Sequence, residues 1–80
     1  MEAEQMSYKK KRFSGNKLKK QRMQSGLELG DVVMKLWSMG HKKASVQLVR
    51  NYETDKNIPG LEYAVSLASI YDCSVQEFVK

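Results

Sequence analysis

Apolar residues recur along this chain at helical spacing, and polar, glycine-containing gaps divide them into segments. In "LELGDVVMKLWSMGH" they fall at 29, 32, 33 and 36, the i, i+3, i+4, i+7 template of a helix with one buried face. Asp31 supplies an acidic first turn, Gly40 a stop, and Trp37 stands beside the stripe as core or subunit contact. Upstream, Leu18 and Arg22 lie four apart among good helix formers from Asn16 to Ser25, a helix that Gly26 ends. Downstream, Ser45 is an N-cap candidate for a third helix with Val46, Val49 and Tyr52 on one face and Leu48 at its edge. After Pro59, "LEYAVSLASIYDC" places Leu61, Ala64, Val65, Ala68 and Tyr71 on one helical face, which Leu67 and Ile70 broaden. "SVQEFV" then offers a capping box, Ser74 to Glu77, with Cys73 and Phe78 as a hydrophobic staple around a fifth, short helix.

No alternating pattern supports a sheet, and no repeat or low-complexity segment is present. Residues 1–14 lack any sustained hydrophobic period and are expected to form a flexible basic N-terminal arm, pinned in part by Tyr8 and Phe13. The pattern therefore predicts an all-α fold of five helices over residues 15–80, preceded by that arm.

Eighty residues suffice for one domain, and at this size only roughly 60% of the unfolded surface is buried, so a second activity is not expected. No apolar run approaches the ~18 residues of a membrane span, and the N-terminus lacks a signal-peptide core. A soluble, cytoplasmic protein is the expectation. With one cysteine, Cys73, and one histidine, His41, neither a disulfide within the chain nor a metal cluster can be assembled. His41 reads as a turn residue and Cys73 as a small packing residue. No nucleophile, base and orienting group can be assembled either, so no enzyme and no cofactor are expected.

Charge changes the picture more than composition does. The net charge is +5, and eight of the fourteen Lys and Arg residues lie between Lys9 and Arg22, where no acid occurs. That asymmetry points to a polyanionic partner, with a solubilising tail as the plainer reading.

The middle of the chain, "SVQLVRNYETDKNIPG", closes an amphipathic run on Tyr52-Glu53 and then turns polar until the single proline. Here the residues resemble a known family. The entry "LKKQRMQSGL", the pattern S...V..YE from Ser45 to Glu53, the spacing from Glu53 to Pro59, and the run from Pro59 through "LASIYDCSVQEF" are similar to the lambda-repressor/Cro-like, or Xre-type, helix-turn-helix proteins. The likeness covers roughly residues 16–79. The chain departs from the family pattern in three places. Leu36 and Ser45 are nine apart, which leaves "WSMGHKKA" as an insertion taken up by a longer helix 2 or an enlarged turn. Glu28-Leu29 replaces the usual Ser/Thr-Gln, and Asp55 replaces the usual glycine, a position that aspartate tolerates better than most residues.

The resemblance implies a five-helix helix-turn-helix domain in which residues 45–52 form the recognition helix and 54–59 a loop along the phosphate backbone. Base contacts are then expected from Val46, Gln47, Arg50 and Asn51: an amide can bond adenine bidentately, arginine can reach guanine or a phosphate, and valine can meet a thymine methyl. Backbone contacts are expected from Lys42, Lys43, Ser45, Lys56 and Asn57, with the arm residues Lys9, Lys10, Lys11 and Arg12 adding counterion release. Arg22 and Glu53 match positions that form a structural ion pair in the family. The implied function is that of a small repressor of phage or mobile-element type, a homodimer on double-stranded DNA, nucleoid-associated when bound. The alternative is a protein-binding adaptor, antitoxin-like or an antirepressor, or an accessory DNA-binding protein on the same scaffold, with a partner at Trp37 and Met39.

Overall fold

In the computed structural model, which describes residues 13–80, four α-helices form where the apolar spacing puts them. They are α1 (Gly15–Gln24), α2 (Leu29–Ser38), α3 (Val46–Glu53) and α4 (Leu61–Ile70). Side chains satisfy the first-turn N–H groups that a helix leaves unpaired. Ser14 Oγ accepts from Lys17 N at 3.2 Å, and Ser45 Oγ from Leu48 N at 3.1 Å. At the start of α2, Asp31 Oδ2 accepts from the Glu28 N–H at 2.9 Å.

All four helices stop in the same way. The second residue past each helix takes a left-handed conformation: Gly26, Gly40, Asp55 and Asp72. The following N–H then returns to the carbonyl five residues back, at 3.3 Å for Leu27 to Arg22, 3.0 Å for His41 to Leu36, and 2.9 Å for both Lys56 to Asn51 and Cys73 to Ala68. This closure consumes carbonyls that would otherwise be unpaired. Two of the stops use aspartate, which together with asparagine visits this region more readily than other side chains.

Helix α3 packs against α1 and α2, α4 against α2, and the C-terminal turn against α1 and α4. Leu18, Val32, Leu36, Val49, Leu67 and Phe78 are fully enclosed and share one core with Tyr52 and Tyr71.

Several expectations need correction. The fifth helix is a four-residue 3-10 turn, Val75–Phe78, and the Ser74 side chain caps nothing. The carbonyls at its end and just past it serve longer-range partners instead: Ser14 N donates to Phe78 O at 2.7 Å, and Lys17 Nζ to Val79 O at 2.8 Å. An isolated antiparallel bridge joins Phe13 to Val79. Phe13 and Ser14 are buried, so they belong to the packed body rather than to the arm. Val46 does not share the buried face of Val49 and Tyr52, because an i, i+3 row drifts by about 60° per step around a helix and carries Val46 to the exposed side. On α4 the buried stripe is Ala64, Leu67, Ala68 and Tyr71, which leaves Leu61 and Val65 on an exposed flank. Since α2 runs only two residues past Leu36, most of the extra length lies in the turn over residues 39–45.

Candidate nucleic-acid interface

Helix α3 has two unlike sides. Val49, Tyr52 and Glu53 face inward, whereas Val46, Gln47 and Arg50 are exposed and Asn51 is half-buried beside them. Gln47 Nε2 donates to Asn51 Oδ1 at 2.9 Å, so the two amides one turn apart are held together. The backbone carbonyl of Asn51 gathers the following loop, accepting from Lys56 N at 2.9 Å and Asn57 N at 3.2 Å. Thr54 Oγ1 donates to Arg50 O at 2.9 Å, which closes the helix end on the same side.

Cations flank this helix at both ends, with exposed Lys42 and Lys43 ahead of Ser45 and exposed Lys56 behind Asp55. The two neighbouring acids are already engaged. Asp55 Oδ1 accepts from Gly15 N at 2.9 Å, and Glu53 is bound by Arg22. The outward side of α3 and its flanks therefore present positive charge and amide donors and acceptors.

The support beneath is an ion pair between α1 and α3. Arg22 Nε donates to Glu53 Oε2 at 2.7 Å and Nη2 to Oε1 at 3.3 Å, with the side chains 13% and 5% exposed. A third bond, Nη1 to Leu27 O at 2.9 Å, ties the α1–α2 connection to the same guanidinium. Hydrogen bonding to Glu53 raises the Arg22 pKa above its ordinary value, against the opposing effect of partial burial. Gly15 allows α1 to start this close to α3: a Cβ there would overlap the Tyr52 carbonyl oxygen and lie 2.7 Å from the Glu53 carbonyl carbon.

The enlarged turn between α2 and α3 is closed by Trp37, whose Nε1 donates to Ala44 O at 2.9 Å while the ring stays half exposed. His41 in this turn hydrogen-bonds through Nε2 to Ser66 Oγ at 2.8 Å, and its ring lies 4.2 Å from that of Tyr63. It thereby ties the turn to α4. Burial pushes the Cys73 thiol up, with the negative charges of Glu77 and Asp72 adding to the effect. Burial likewise raises the phenols of Tyr52 and Tyr71, and the Tyr71 hydroxyl is enclosed with no hydrogen-bond partner among the described residues. Among the described residues no group of His, Cys, Asp and Glu could hold a metal ion, and no helix is long and apolar enough to cross a membrane.

The nine expected contact residues thus lie on α3 or within its two flanking loops. Gln47, Asn51, Lys56 and Asn57 are joined by hydrogen bonds; Ser45 is occupied as a cap acceptor; Lys42, Lys43, Val46 and Arg50 have exposed side chains with no hydrogen bond or ion pair to another described residue. Lys9, Lys10, Lys11 and Arg12 lie outside the described residues. Sequence reasoning missed Asp55 as the cap of α1, since nothing local signals a carboxylate forty residues away, and missed the Trp37–Ala44 and His41–Ser66 bonds for the same reason. No protein-family model, no curated protein and no solved structure matches the chain.

Proposed function

We propose that the chain is a sequence-specific regulator that binds double-stranded DNA by laying α3 in the major groove, as the second helix of a helix-turn-helix formed with α2. The observation that carries this reading is the composition of the outward side of α3: Gln47, Arg50 and Asn51 stand on a helix whose apolar side is wholly engaged, between the cationic loops of Lys42-Lys43 and Lys56-Asn57. Amides and a guanidinium are the groups that read base edges, and loop cations fix the register on the phosphates. One eight-residue helix reads too few base pairs for a useful site, so binding is as a dimer to half-sites about 10 bp apart. Occlusion of a promoter is the simplest regulatory consequence of such binding.

Selection of bound duplexes from a random pool near physiological salt tests the proposal. An enriched palindrome supports it, and retention without enrichment refutes sequence reading. One observation favours a second reading. Trp37, in the last turn of α2, and Met39, just past it, are large, apolar and exposed. A protein-binding adaptor on this scaffold would use that surface, and it would yield no enriched duplex.

A further inference from the structure

Resting on the DNA-binding reading above, we infer that Gln47 reads an adenine and that Asn51 is the positioning residue that makes Gln47 reject guanine. The two amides share one face of α3, four residues apart, and are unequally held. Asn51 is half-buried, and its backbone carbonyl accepts from Lys56 N at 2.9 Å and Asn57 N at 3.2 Å, so the loop fixes the point from which its side chain extends. Gln47, the second residue of α3, is exposed. Among the described residues its side chain has one hydrogen-bond partner, Asn51 Oδ1, which lies 2.9 Å from Gln47 Nε2. The anchored amide therefore orients the exposed one before any base arrives, which lowers the ordering cost of contact.

That bond also changes what Gln47 can recognise. A primary amide has one accepting oxygen and two N–H donors. An unrestrained glutamine can turn its donors toward guanine, whose N7 and O6 both accept, or one donor and its oxygen toward adenine, whose N7 accepts and N6 donates. Here one of the two N–H groups is already used on Asn51 Oδ1. What remains is Oε1 and a single N–H, one acceptor and one donor, the set that matches adenine N6 and N7. Against guanine the same orientation sets Oε1 toward O6, acceptor against acceptor, and an unmatched polar pair in a closed interface is costly. Cytosine offers a donor alone and thymine an acceptor alone, so each can meet only half of what Gln47 presents. Asn51 acts through Gln47 and needs no base contact of its own for this role.

Selection of bound duplexes from a random pool near physiological salt tests the inference, with the full chain as wild type, Gln47→Ala, Asn51→Ala and Asn51→Asp. The position in the selected site that Gln47→Ala flattens is the one Gln47 reads. In the wild type that position should hold adenine, preferred over guanine by at least about tenfold. Asn51→Ala frees the second N–H and should bring guanine within about twofold of adenine there, with pyrimidines still rejected. Asn51→Asp keeps an accepting oxygen for Gln47 and should keep adenine over guanine, while its charge weakens binding to every duplex. A residue with a purely structural role would lower affinity for all four bases alike rather than admit one of them.

Thermal melts establish that the variants fold, and the identity of the wild-type base decides the matter should Asn51→Ala fail to. Guanine or a pyrimidine at the Gln47 position, no position flattened by Gln47→Ala, or an adenine preference untouched by Asn51→Ala would each overturn the inference and leave a sequence-reading regulator standing. A wild-type pool with no enrichment at all would remove the DNA-binding reading, and this inference with it.

Discussion

At the scale of single residues, two buried polar groups set testable limits on stability. Arg22→Met would leave the Glu53 carboxylate, 5% exposed, without its cation and the Leu27 carbonyl without its donor. Removing one member of a buried pair costs about 3 kcal/mol, whereas replacing both members by apolar groups is often nearly neutral. Arg22→Met alone should therefore lower the urea-derived stability by that amount, and Arg22→Met with Glu53→Leu should recover most of it. A double variant no better than the single would mean that the pair's energy lies in packing rather than in charge. Tyr71 is the converse case, a hydroxyl enclosed with no partner among the described residues. Tyr71→Phe should leave neutral-pH stability unchanged or raise it by up to about 1 kcal/mol, since no hydrogen bond is lost. The pH dependence has a definite sign. Burial raises the phenol pKa values of Tyr52 and Tyr71 above the ordinary 10.0, so their contribution is complete below pH 10.0 and is lost as pH rises further, because the unfolded chain then releases protons that the folded chain retains. Urea midpoints measured at about pH 9 and about pH 11 should fall steeply for the wild type and less so for Tyr71→Phe.

At the scale of elements, the start of α1 lies close against the end of α3, and Gly15 permits it. Helix propensity favours Gly15→Ala by up to about 1 kcal/mol, but the added Cβ would overlap the Tyr52 carbonyl oxygen, and overpacking costs about 1 to 3 kcal/mol. The clash is with backbone, which cannot rotate away, so the net effect should be destabilising in chemical denaturation; a stabilised variant would show that α1 can slide off α3 without loss. Much of this arrangement was legible in the sequence. Ser45, Asp31, Gly26 and Gly40 mark helix ends through local chemistry that operates wherever the helix finally packs, and those ends appear where their residues place them. What local chemistry does not determine is which half of a mostly apolar helix turns inward. Val46, Leu61 and Val65 are apolar and correctly spaced, yet exposed, because the neighbouring helices fix the rotation of α3 and α4. Ser74 and Glu77 carry a capping-box pattern, but the chain needs its Phe78 and Val79 carbonyls for Ser14 and Lys17, and a single 3-10 turn results. The pairing of Arg22 with Glu53 was readable only through the family resemblance; no spacing rule links residues 31 apart.

At the scale of the whole molecule, charge is unevenly distributed along the chain. Lys42, Lys43, Arg50 and Lys56 surround the outward side of α3, whereas residues 57–79 carry none of the fourteen cations. If α3 reads base edges and its flanking loops grip phosphates, the two kinds of residue must differ in how their loss responds to salt. Lys56→Ala and Lys42→Ala should each weaken binding to every sequence alike and flatten the slope of log affinity against log salt by about 1, because each releases one counterion fewer. Gln47→Ala should leave that slope unchanged and cost about 1 to 3 kcal/mol of discrimination at one base step, with Asn51→Ala acting through the same amide pair and therefore not additively. Titrations of an enriched and a scrambled duplex between about 50 and about 200 mM salt separate the two effects. A Gln47→Ala variant that changed the slope while keeping its sequence preference would place this side of α3 on the phosphate backbone. Base readout would then have to be sought on another surface.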